Sequence, residues 1–305
     1  MFQYVIKRLL EAILVLWVIV TMTFFMLRIA PGGPFDQEKA IPPEVEENLK
    51  AYYGLNEPLK KQYIQYLKNV LKGDLGPSFK YPGWSVSEII RAKLPISLEL
   101  GIYALLFSVG VGIVIGIVAA NRVNTVWDYT AMGFATAGIC LPAFVIGPIF
   151  ILLFSIHLHW LNASGWNAIS DRILPLVTLG IYYAAYISRL TRGSLLEVLK
   201  QDYMRTARAK GLSEVRIVFA HGLRNALTPI ISYLGPTAAG LIAGSFVVET
   251  VFNIPGLGRF FVTAALNRDY TLVLGIVLCF AFLIICFNML ADVLLALVNP
   301  RKSGT

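Results

Sequence analysis

Charged residues are scarce in this sequence. Asp, Glu, Lys and Arg supply 14% of its 305 residues, whereas hydrophobic residues supply 57%. A soluble domain usually carries about 25% charged residues, and the mean hydropathy of +0.68 lies well on the apolar side. This composition excludes an ordinary soluble domain and indicates an integral membrane protein.

Cysteine and histidine are also rare, with three residues of each. Cys140, Cys279 and Cys286 all fall inside apolar runs. They predict neither a disulfide framework nor a metal site, and we expect them to pack as small hydrophobes. His157 and His159 form an H-x-H pair at the end of an apolar run, which is more typical of an interfacial turn than of a metal site.

Several catalytic motifs are missing. The sequence has no HExxH, and no apolar stretch has a histidine well inside it, which argues against an intramembrane metalloprotease or serine protease. It also has no GxxxxGK[ST], so the chain cannot hold ATP in a P-loop. We therefore expect a non-enzymatic chain without a cofactor or metal of its own, and any energy for its work must come from another subunit.

Six apolar stretches approach the roughly 20 residues that a helix needs to cross a bilayer. They are Leu9 to Leu27, Leu100 to Ala120, Ala131 to Ile156, Ile173 to Ile187, Leu227 to Val248 and Leu272 to Ala291. The first could be a signal peptide, but its run is long and is followed by Arg28-Ile29-Ala30-Pro31 rather than by an A-x-A site. We interpret it as an uncleaved anchor, and the chain as an all-α integral membrane protein with six transmembrane helices.

The placement of Lys and Arg predicts the orientation, because basic residues collect in short cytoplasmic loops. With a cytoplasmic N-terminus, the inside segments contain Lys7, Arg8, Arg122, Arg192, Lys200, Arg205, Arg208, Lys210, Arg216, Arg224, Arg301 and Lys302. The short outside loops contain Arg172, Arg259 and Arg268. Both termini are therefore predicted to be cytoplasmic.

This topology divides the chain into four parts. Residues 1–30 form transmembrane helix 1, and residues 31–97 form an extracytoplasmic segment with short helices. Residues 98–298 form the transmembrane core of helices 2–6, which contains a cytoplasmic loop at 191–228, and residues 299–305 form a cytoplasmic tail.

The extracytoplasmic segment contains two helical patterns, PPEVEENLKAYYG and EPLKKQYIQYLKNVLKG, with Gly54 ending the first. The second has an apolar face made by Leu59, Tyr63, Leu67 and Leu71. That face either covers the membrane domain or receives an extracytoplasmic partner.

The cytoplasmic loop also has a helical pattern. Its apolar stripe consists of Leu195, Leu199, Tyr203 and Ala207, and its basic residues point mostly away from that stripe. Gly211 is predicted to close the helix in a left-handed conformation, and Ser213 to cap a second helix that ends where Pro229 opens the fifth span.

Three kinds of partner could meet this loop. Nucleic acid is disfavoured, because a few basic residues between two spans make a small phosphate-binding footprint. Anionic membrane lipid attracts basic residues by about 1 kcal/mol each, but neither partner explains two helices with an apolar stripe. A protein partner does.

Arg205-Thr206-Ala207, three further residues and then Gly211 resemble the EAA loop of bacterial ABC importer permeases, in the R-T-A-x-x-x-G form of the peptide branch, with Arg in place of Glu. Other matching stretches are RIAPGGPF, GDLGPSFKY, WDYTAMG, HWLNASGWN, SRLTRGSLLEVL and SFVVETVFNIPGLGRFFVTAALNRDYTLVL. Together they cover nearly the whole chain, which resembles the B-type permeases of oligopeptide ABC importers.

The resemblance implies a type I ABC importer permease in the bacterial cytoplasmic (inner) membrane. The implied partners are a homologous C-type permease subunit, two cytoplasmic ATPase subunits that hold ATP and Mg, an extracytoplasmic peptide-binding protein and the peptide. The implied ATPase contact includes Arg205, Thr206, Ala207 and Gly211, to which the helical pattern adds Tyr203 and Arg208.

Two alternatives stay open at this point. Dipeptide and nickel importer permeases share the RTARAKG-type loop. A self-contained channel or secondary transporter is an alternative of another class, although it should have internal inverted repeats and mid-membrane ion sites. The sequence shows no convincing repeat and no charge in the middle of a span.

Ionisable residues in or near spans are functional candidates, and here they are Glu11, Glu99, Glu249 and Asp292. All four lie near predicted boundaries, where reaching out to water is an equal alternative. Glu249 precedes VFNIPGLG, which resembles the outer loop of the family. We therefore predict an outer gate made of Glu249, Pro255, Gly256 and Gly258.

Overall fold

The computed structural model describes residues 2–29, 33–34 and 43–298. Its helices are α1 (Phe2–Ile29), α2 (Pro43–Tyr52), α3 (Leu59–Leu71), α4 (Val86–Asn121), α5 (Val126–Cys140), α6 (Ala143–Phe150), α7 (Ser170–Leu199), α8 (Asp202–Ala209), α9 (Glu214–Arg216), α10 (Leu223–Val251), α11 (Leu257–Leu266) and α12 (Tyr270–Val298). Two π-helical stretches, Ile151–His157 and Ile217–Gly222, follow α6 and α9. The predicted tail 299–305 lies outside the described residues.

The predicted helical membrane architecture is confirmed. Within the described residues, five single helices are long and apolar enough to cross a membrane, and a bent pair would make a sixth span. The fourth predicted span was the shortest, yet α7 has 30 residues. It is longer than its apolar run because helical hydrogen bonding continues through the charged residues at both of its ends.

The third predicted span, Ala131 to Ile156, is not one straight helix. Residues 126–140 and 143–157 meet at an angle of 108°. Leu141 has an extended backbone (φ −90°, ψ 120°), because the ring of Pro142 disfavours the helical conformation of the residue before it. Composition identified an apolar segment of sufficient length, but one proline divides it.

The prediction that Pro229 opens the fifth span is wrong. Pro229 and Pro236 both lie inside α10. The helical path begins at Glu214 and passes through the π-helical stretch 217–222 into α10. A proline is tolerated within a membrane helix when neighbouring groups satisfy the backbone it disrupts, so it marks a helix start less reliably here than in a soluble protein.

The chain forms two compact units. Among the described residues, the first comprises 97–255 and 283–298, and the second comprises 2–29, 33–34, 43–96 and 256–282. Residues 256–282 therefore group with the N-terminal segments rather than with the rest of 98–298.

In the first unit, α7 packs against α5 and α10, and α4 approaches α7 at two glycines. A Cβ added to Gly112 would lie 2.8 Å from the carbonyl oxygen of Ala184. One added to Gly116 would lie 2.7 Å from that of Ser188. Small residues four apart let two membrane helices approach closely, so these glycines fix the α4–α7 distance.

The core of the second unit joins α4, α11 and α12. Val86 and Ile89 pack with Leu257, Leu272 and Ile276. The predicted helices α2 and α3 are present, and Gly54 has the expected left-handed backbone with φ +67°.

Tyr63 is the residue of the predicted apolar face of α3 that reaches α1. Its ring centroid lies 5.4 Å from that of Phe24, and its hydroxyl is 2.7 Å from that of Thr21. Leu59 and Leu71 are exposed, so the face covers α1 only in part.

A buried carboxylate ties a loop of the second unit to α12. Asp269 accepts hydrogen bonds from the backbone N–H groups of Phe79 (3.2 Å), Lys80 (3.2 Å) and Leu272 (3.1 Å). The hydroxyls of Ser78 and Thr271 also donate to it. A buried charge is tolerated when hydrogen bonds replace its hydration, and this one closes the loop over the start of α12.

Candidate coupling site

The central feature of the predicted coupling loop is α8, a helix of eight residues. α7 ends at Leu199, and Gln201 adopts an extended conformation (φ −73°, ψ 154°) before α8 begins at Asp202. Asp202 places a negative charge in the first turn and Arg208 a positive charge in the last, which is the favourable arrangement for the helix dipole.

Two residues of α8 anchor it to the first unit. Met204 and Ala207 are buried in an apolar cluster with Leu195, Ile217 and Ala226. These partners belong to α7, to the π-helical stretch and to α10, and the cluster extends to the end of α4. Interiors packed in this way transmit displacement rather than absorb it, so α8 should move together with these helices.

The predicted stripe is correct at Leu195, Leu199 and Ala207 and wrong at Tyr203. Tyr203 is 40% exposed, and its hydroxyl accepts a hydrogen bond of 2.7 Å from Nδ2 of Asn225. Met204 occupies the buried position instead. The non-helical residues between α7 and α8 reset the helical phase, so a count by fours from Leu195 arrives on the wrong face.

The outward face of α8 is polar. The Arg205 side chain is 75% exposed, and its guanidinium lies 3.6 Å from the Asp202 carboxylate. The Thr206 hydroxyl donates to the Asp202 carbonyl oxygen (3.1 Å). Tyr203, Arg205 and Thr206 are thus the predicted contact residues that lie exposed on this face.

Arg208 is already engaged within the loop. Its Nε and one terminal nitrogen donate to Glu214 at 2.8 and 3.2 Å. This bidentate contact raises the pKa of Arg208 above its usual value and bridges α8 to α9. Arg208 therefore holds α8 to α9 although its side chain is exposed, while Arg205 pairs with Asp202 of its own helix.

Gly211 adopts the predicted left-handed conformation, with φ +77°. The N–H of Gly211 donates to the Arg208 carbonyl oxygen (2.9 Å) and the N–H of Leu212 to that of Ala207 (3.4 Å). These bonds close the end of α8 in the manner of a Schellman motif. A Cβ at Gly211 would meet no atom within 4 Å, so the position needs glycine for its backbone conformation and not for lack of space.

The predicted outer-gate residues lie on both sides of a unit boundary. Glu249 lies in the last turns of α10 and is fully buried, so the alternative in which it extends to water is wrong. Pro255 ends a segment of the first unit, and Gly256 begins a segment of the second, where Gly258 is buried in the first turn of α11.

The other ionisable candidates differ in their surroundings. Glu99 pairs with Arg172 (2.8 Å) and accepts a hydrogen bond from the Trp166 indole (3.1 Å). Glu11 is exposed and Asp292 is partly buried. Glu99 therefore has a structural role at the start of α7.

A polar membrane face was missed by the sequence reasoning. Near the middle of α7, Tyr182 and Tyr186 are 40% and 41% exposed, and the Tyr186 ring stacks on that of Tyr233 from α10 at 4.4 Å. The positions of α10 that are exposed include Ser232 and Thr250. Across α10, all of which the structure describes, no large hydrophobic side chain is exposed.

The exposed side of α4 has the opposite character. Leu106 and Val114 are 64% and 60% exposed, as expected for a surface that meets lipid. The contrast could have been found in the sequence from the tyrosines and small residues that recur along α7 and α10. It was hidden because both helices are apolar on average.

An ion pair joins α5 to α7, about two helical turns before α7 ends at Leu199. Asp128 is 2% exposed and accepts from Nε and a terminal nitrogen of Arg192 at 2.6 and 2.7 Å. The backbone N–H of Asn124 also donates to it (3.0 Å). The sequence reasoning used Arg192 for topology and did not detect its partner.

These features define a polytopic α-helical membrane protein with a structured polar loop between two spans. Residues 112–304 match the family described as "Binding-protein-dependent transport system inner membrane component". Residues 1–100 match the N-terminal region of such membrane components. The chain belongs to this family, and the predicted inner-membrane location and permease class are confirmed.

Curated relatives cover nearly the full chain. The oligopeptide transport system permease protein OppB of Salmonella typhimurium is 48% identical over 303 residues, which are 99% of each chain. OppB of Escherichia coli is 47% identical over the same length. The dipeptide transport system permease protein DppB of Bacillus subtilis is 41% identical over 301 residues, which are 99% of this chain and 98% of that protein.

A solved structure has a similar fold. The inward-facing MetNI methionine ABC transporter aligns with a TM-score of 0.57 at 17% identity, over 69% of this chain and 96% of that chain. The likeness supports the predicted importer permease fold.

Proposed function

We propose that this protein is a permease subunit of an ATP-driven importer that carries oligopeptides across the cytoplasmic membrane. The observation that carries the proposal is α8, because its apolar side is locked into the membrane bundle through Met204 and Ala207 while its polar side is open. A helix arranged in this way can be contacted by a second protein on its open side and can pass the movement to the membrane helices on its buried side. The similarity to OppB proteins supports oligopeptides as the cargo.

The proposed assembly contains a homologous C-type permease, two ATPase subunits and a peptide-binding protein. ATP and Mg would be bound by the ATPase subunits, since this sequence has no P-loop. In this arrangement both termini and α8 face the cytoplasm, as the distribution of basic residues predicts. Residues 31–97 then lie outside, where the binding protein docks.

The ATPase contact would consist of Tyr203, Arg205 and Thr206 on the polar face of α8, with Gly211 setting the turn that follows. An exposed ion pair contributes about 0–1 kcal/mol, so the fit of α8 into the partner should matter more than the charge of Arg205. Movement of α8 would pass to α7 and α10 through the buried cluster. The ion pair between Asp128 and Arg192 would extend it to α5.

The polar face of α7 and α10 would line the peptide path. A tyrosine hydroxyl exposed to hydrocarbon in the middle of a bilayer leaves its hydrogen bonds unmade, at a cost of several kcal/mol. The phenols of Tyr182 and Tyr186 can instead meet peptide backbone amides, which every peptide offers whatever its side chains. In a cysteine-free background, Tyr186→Cys should react with a membrane-impermeant thiol reagent and Leu106→Cys should not; equal reaction would remove this face from the path.

Gly211 provides the test of coupling. Gly211→Val places a β-branched residue at φ +77°, whereas Gly211→Asn keeps a residue that tolerates this region. In the reconstituted transporter, Gly211→Val should hydrolyse ATP without proportionate peptide uptake, and Gly211→Asn should retain most uptake per ATP. Gly193→Val, at an exposed helical glycine with no atom within 4 Å of an added Cβ, is the matched control. Normal coupling in Gly211→Val at normal expression would reject the proposal.

Two alternatives have distinct outcomes. A dipeptide importer would take up dipeptides in preference to tri- to pentapeptides, and the relative from Bacillus subtilis makes this comparison necessary. A self-contained channel or secondary transporter would move peptide when the purified chain alone is placed in liposomes. Uptake that requires the ATPase subunits and ATP would exclude that class.

A further inference from the structure

The second unit contains a cavity of about 350 Å³. Its walls come from the end of α1, from α2 and α3, from the loop at 74–79 and from the start of α12. Aromatic rings of Tyr52, Tyr53 and Phe79 form part of its lining. The volume lies at the lower end of the range of about 300–1,000 Å³ that small-molecule sites occupy.

Arg28 supplies a cation to this cavity. Its Nε donates to Gln62 (3.0 Å), and its guanidinium carbon lies 4.3 Å from the ring centroid of Phe24 and 5.6 Å from that of Tyr270. One terminal nitrogen, NH1, is buried and has no hydrogen-bond partner among the residues that the structure describes. No carboxylate of the described chain pairs with Arg28, whose guanidinium contacts the Gln62 amide oxygen and two aromatic faces.

Tyr66, which also lines the cavity, has a second donor without a partner among the described residues. Its ring stacks on Phe24 at 5.8 Å, the ring that also holds Arg28. Within the described part of the chain its buried hydroxyl has no partner. Burial raises the pKa of Tyr66 to about 12, so the hydroxyl stays protonated and can donate. Buried donors left unsatisfied cost about 1–3 kcal/mol each, and two in one cavity indicate a missing acceptor.

We propose that this cavity is a binding site for a carboxylate, which accepts hydrogen bonds from Arg28 and Tyr66 while the attached chain lies against Tyr52, Tyr53 and Phe79. A carboxylate matches both donors, because it offers two oxygens to a planar guanidinium and accepts from a neutral hydroxyl at the same time. The cavity holds a ligand about the size of a short peptide end. Two sources offer this chemistry: the C-terminus of a free peptide and an acidic side chain of a docked protein.

Photolabelling of the assembled transporter in nanodiscs of zwitterionic lipid tests the site. The probe is a dipeptide of alanine and a diazirine-bearing leucine, used with a free C-terminal carboxylate or as the C-terminal amide. We expect the acid to label residues 52–79 at least tenfold more than the amide. Equal labelling of these residues by acid and amide would overturn the proposal.

Variants identify the groups responsible. Arg28→Gln should reduce labelling by the acid about tenfold, and Tyr66→Phe should reduce it several-fold with no change in ring packing. Arg28→Lys, which keeps the charge, should restore part of the labelling, and Arg91→Gln, which removes an exposed charge of the same unit away from the cavity, should leave it intact. Full labelling of correctly assembled Arg28→Gln would refute the site.

The two sources are separated by adding peptide-free binding protein while the dipeptide probe is kept in large molar excess, so that the binding protein cannot deplete the probe. If its acidic side chain enters the cavity, the added protein will suppress labelling by the acid probe in proportion to its concentration. If the free peptide end is the ligand, labelling will persist. Either result supports a carboxylate site. Because neither measurement depends on coupled import, failure of this proposal can be distinguished from failure of the proposed function.

Discussion

Replacing Gly116 by alanine should separate α4 from α7. An added Cβ would lie 2.7 Å from the backbone oxygen of Ser188 and 2.8 Å from Cγ2 of Thr191. Neither neighbour can give way easily, because one is helix backbone and the other is a buried β-branched side chain that is stiff at χ1. The helices must therefore move apart, and every contact along this seam loosens.

Gly110→Ala is the matched substitution in the same helix, since a Cβ there would meet nothing within 4 Å. Both changes gain the same helix propensity, about 1 kcal/mol relative to glycine. The difference between the free energies of unfolding of the two variants isolates the steric cost of overpacking, which is about 1–3 kcal/mol. We expect Gly110→Ala to be neutral or stabilising, and Gly116→Ala to be less stable than Gly110→Ala by that amount.

The assay is reversible unfolding in mixed micelles titrated with SDS. Gly112→Ala, which also points at α7 backbone, should behave as Gly116→Ala does. If Gly116→Ala and Gly110→Ala differ by less than about 0.5 kcal/mol, which is the scatter of ordinary neutral substitutions, the close approach of α4 and α7 would be refuted.

Three further predictions concern charged residues. Asp128→Asn should lower the free energy of unfolding by about 2–3 kcal/mol, which is at or below the low end for buried pairs because Arg192 is partly exposed. A double-mutant cycle with Arg192→Gln should give a coupling energy of about 1–3 kcal/mol, and additive losses would contradict the pair. Asp269→Ala should lower the free energy of unfolding by about 3–5 kcal/mol because three backbone N–H groups lose their acceptor. A loss below about 1 kcal/mol in the same SDS titration would show that these hydrogen bonds are dispensable. Arg208→Gln should change stability by about 0–1 kcal/mol because its contact with Glu214 is exposed, and a much larger loss would show that α8 depends on this pair.

The sequence predicted features that depend on local pattern. Gly211 was placed correctly because a glycine after a helical run commonly takes the left-handed conformation. The apolar runs coincide with the five single helices that can cross a membrane and with the bent pair, because length and hydropathy suffice to detect such segments. Tyr203 was misplaced because a short break before α8 changed the helical phase. The bend at Pro142 has a local cause, but the apolar run is long enough for one span, and its length therefore predicted a single helix.

Pairings across long stretches of chain could not be predicted. Asp128 and Arg192 are 64 residues apart, and Asp269 is bound by the loop at residues 78–80 from 189–191 residues away. In the sequence, Asp128, Arg192 and Asp269 are each as compatible with an exposed position at the end of a loop as with a buried one. Only the approach of distant helices decides whether such a charge is solvated or buried with a partner.

Apolar packing and charge pairing have separate roles in the coupling loop. Arg208 and Glu214 form an exposed pair that closes the loop on itself, and such a pair contributes little to stability. Met204 and Ala207 are buried against helices that cross the membrane, and burial of a methionine side chain contributes about 1.5–3 kcal/mol. A force applied to the polar face of α8 therefore acts through the apolar contacts. Shortening Met204 should loosen the link between ATP hydrolysis and uptake more than removing Arg205, whose guanidinium lies 3.6 Å from Asp202 of the same helix.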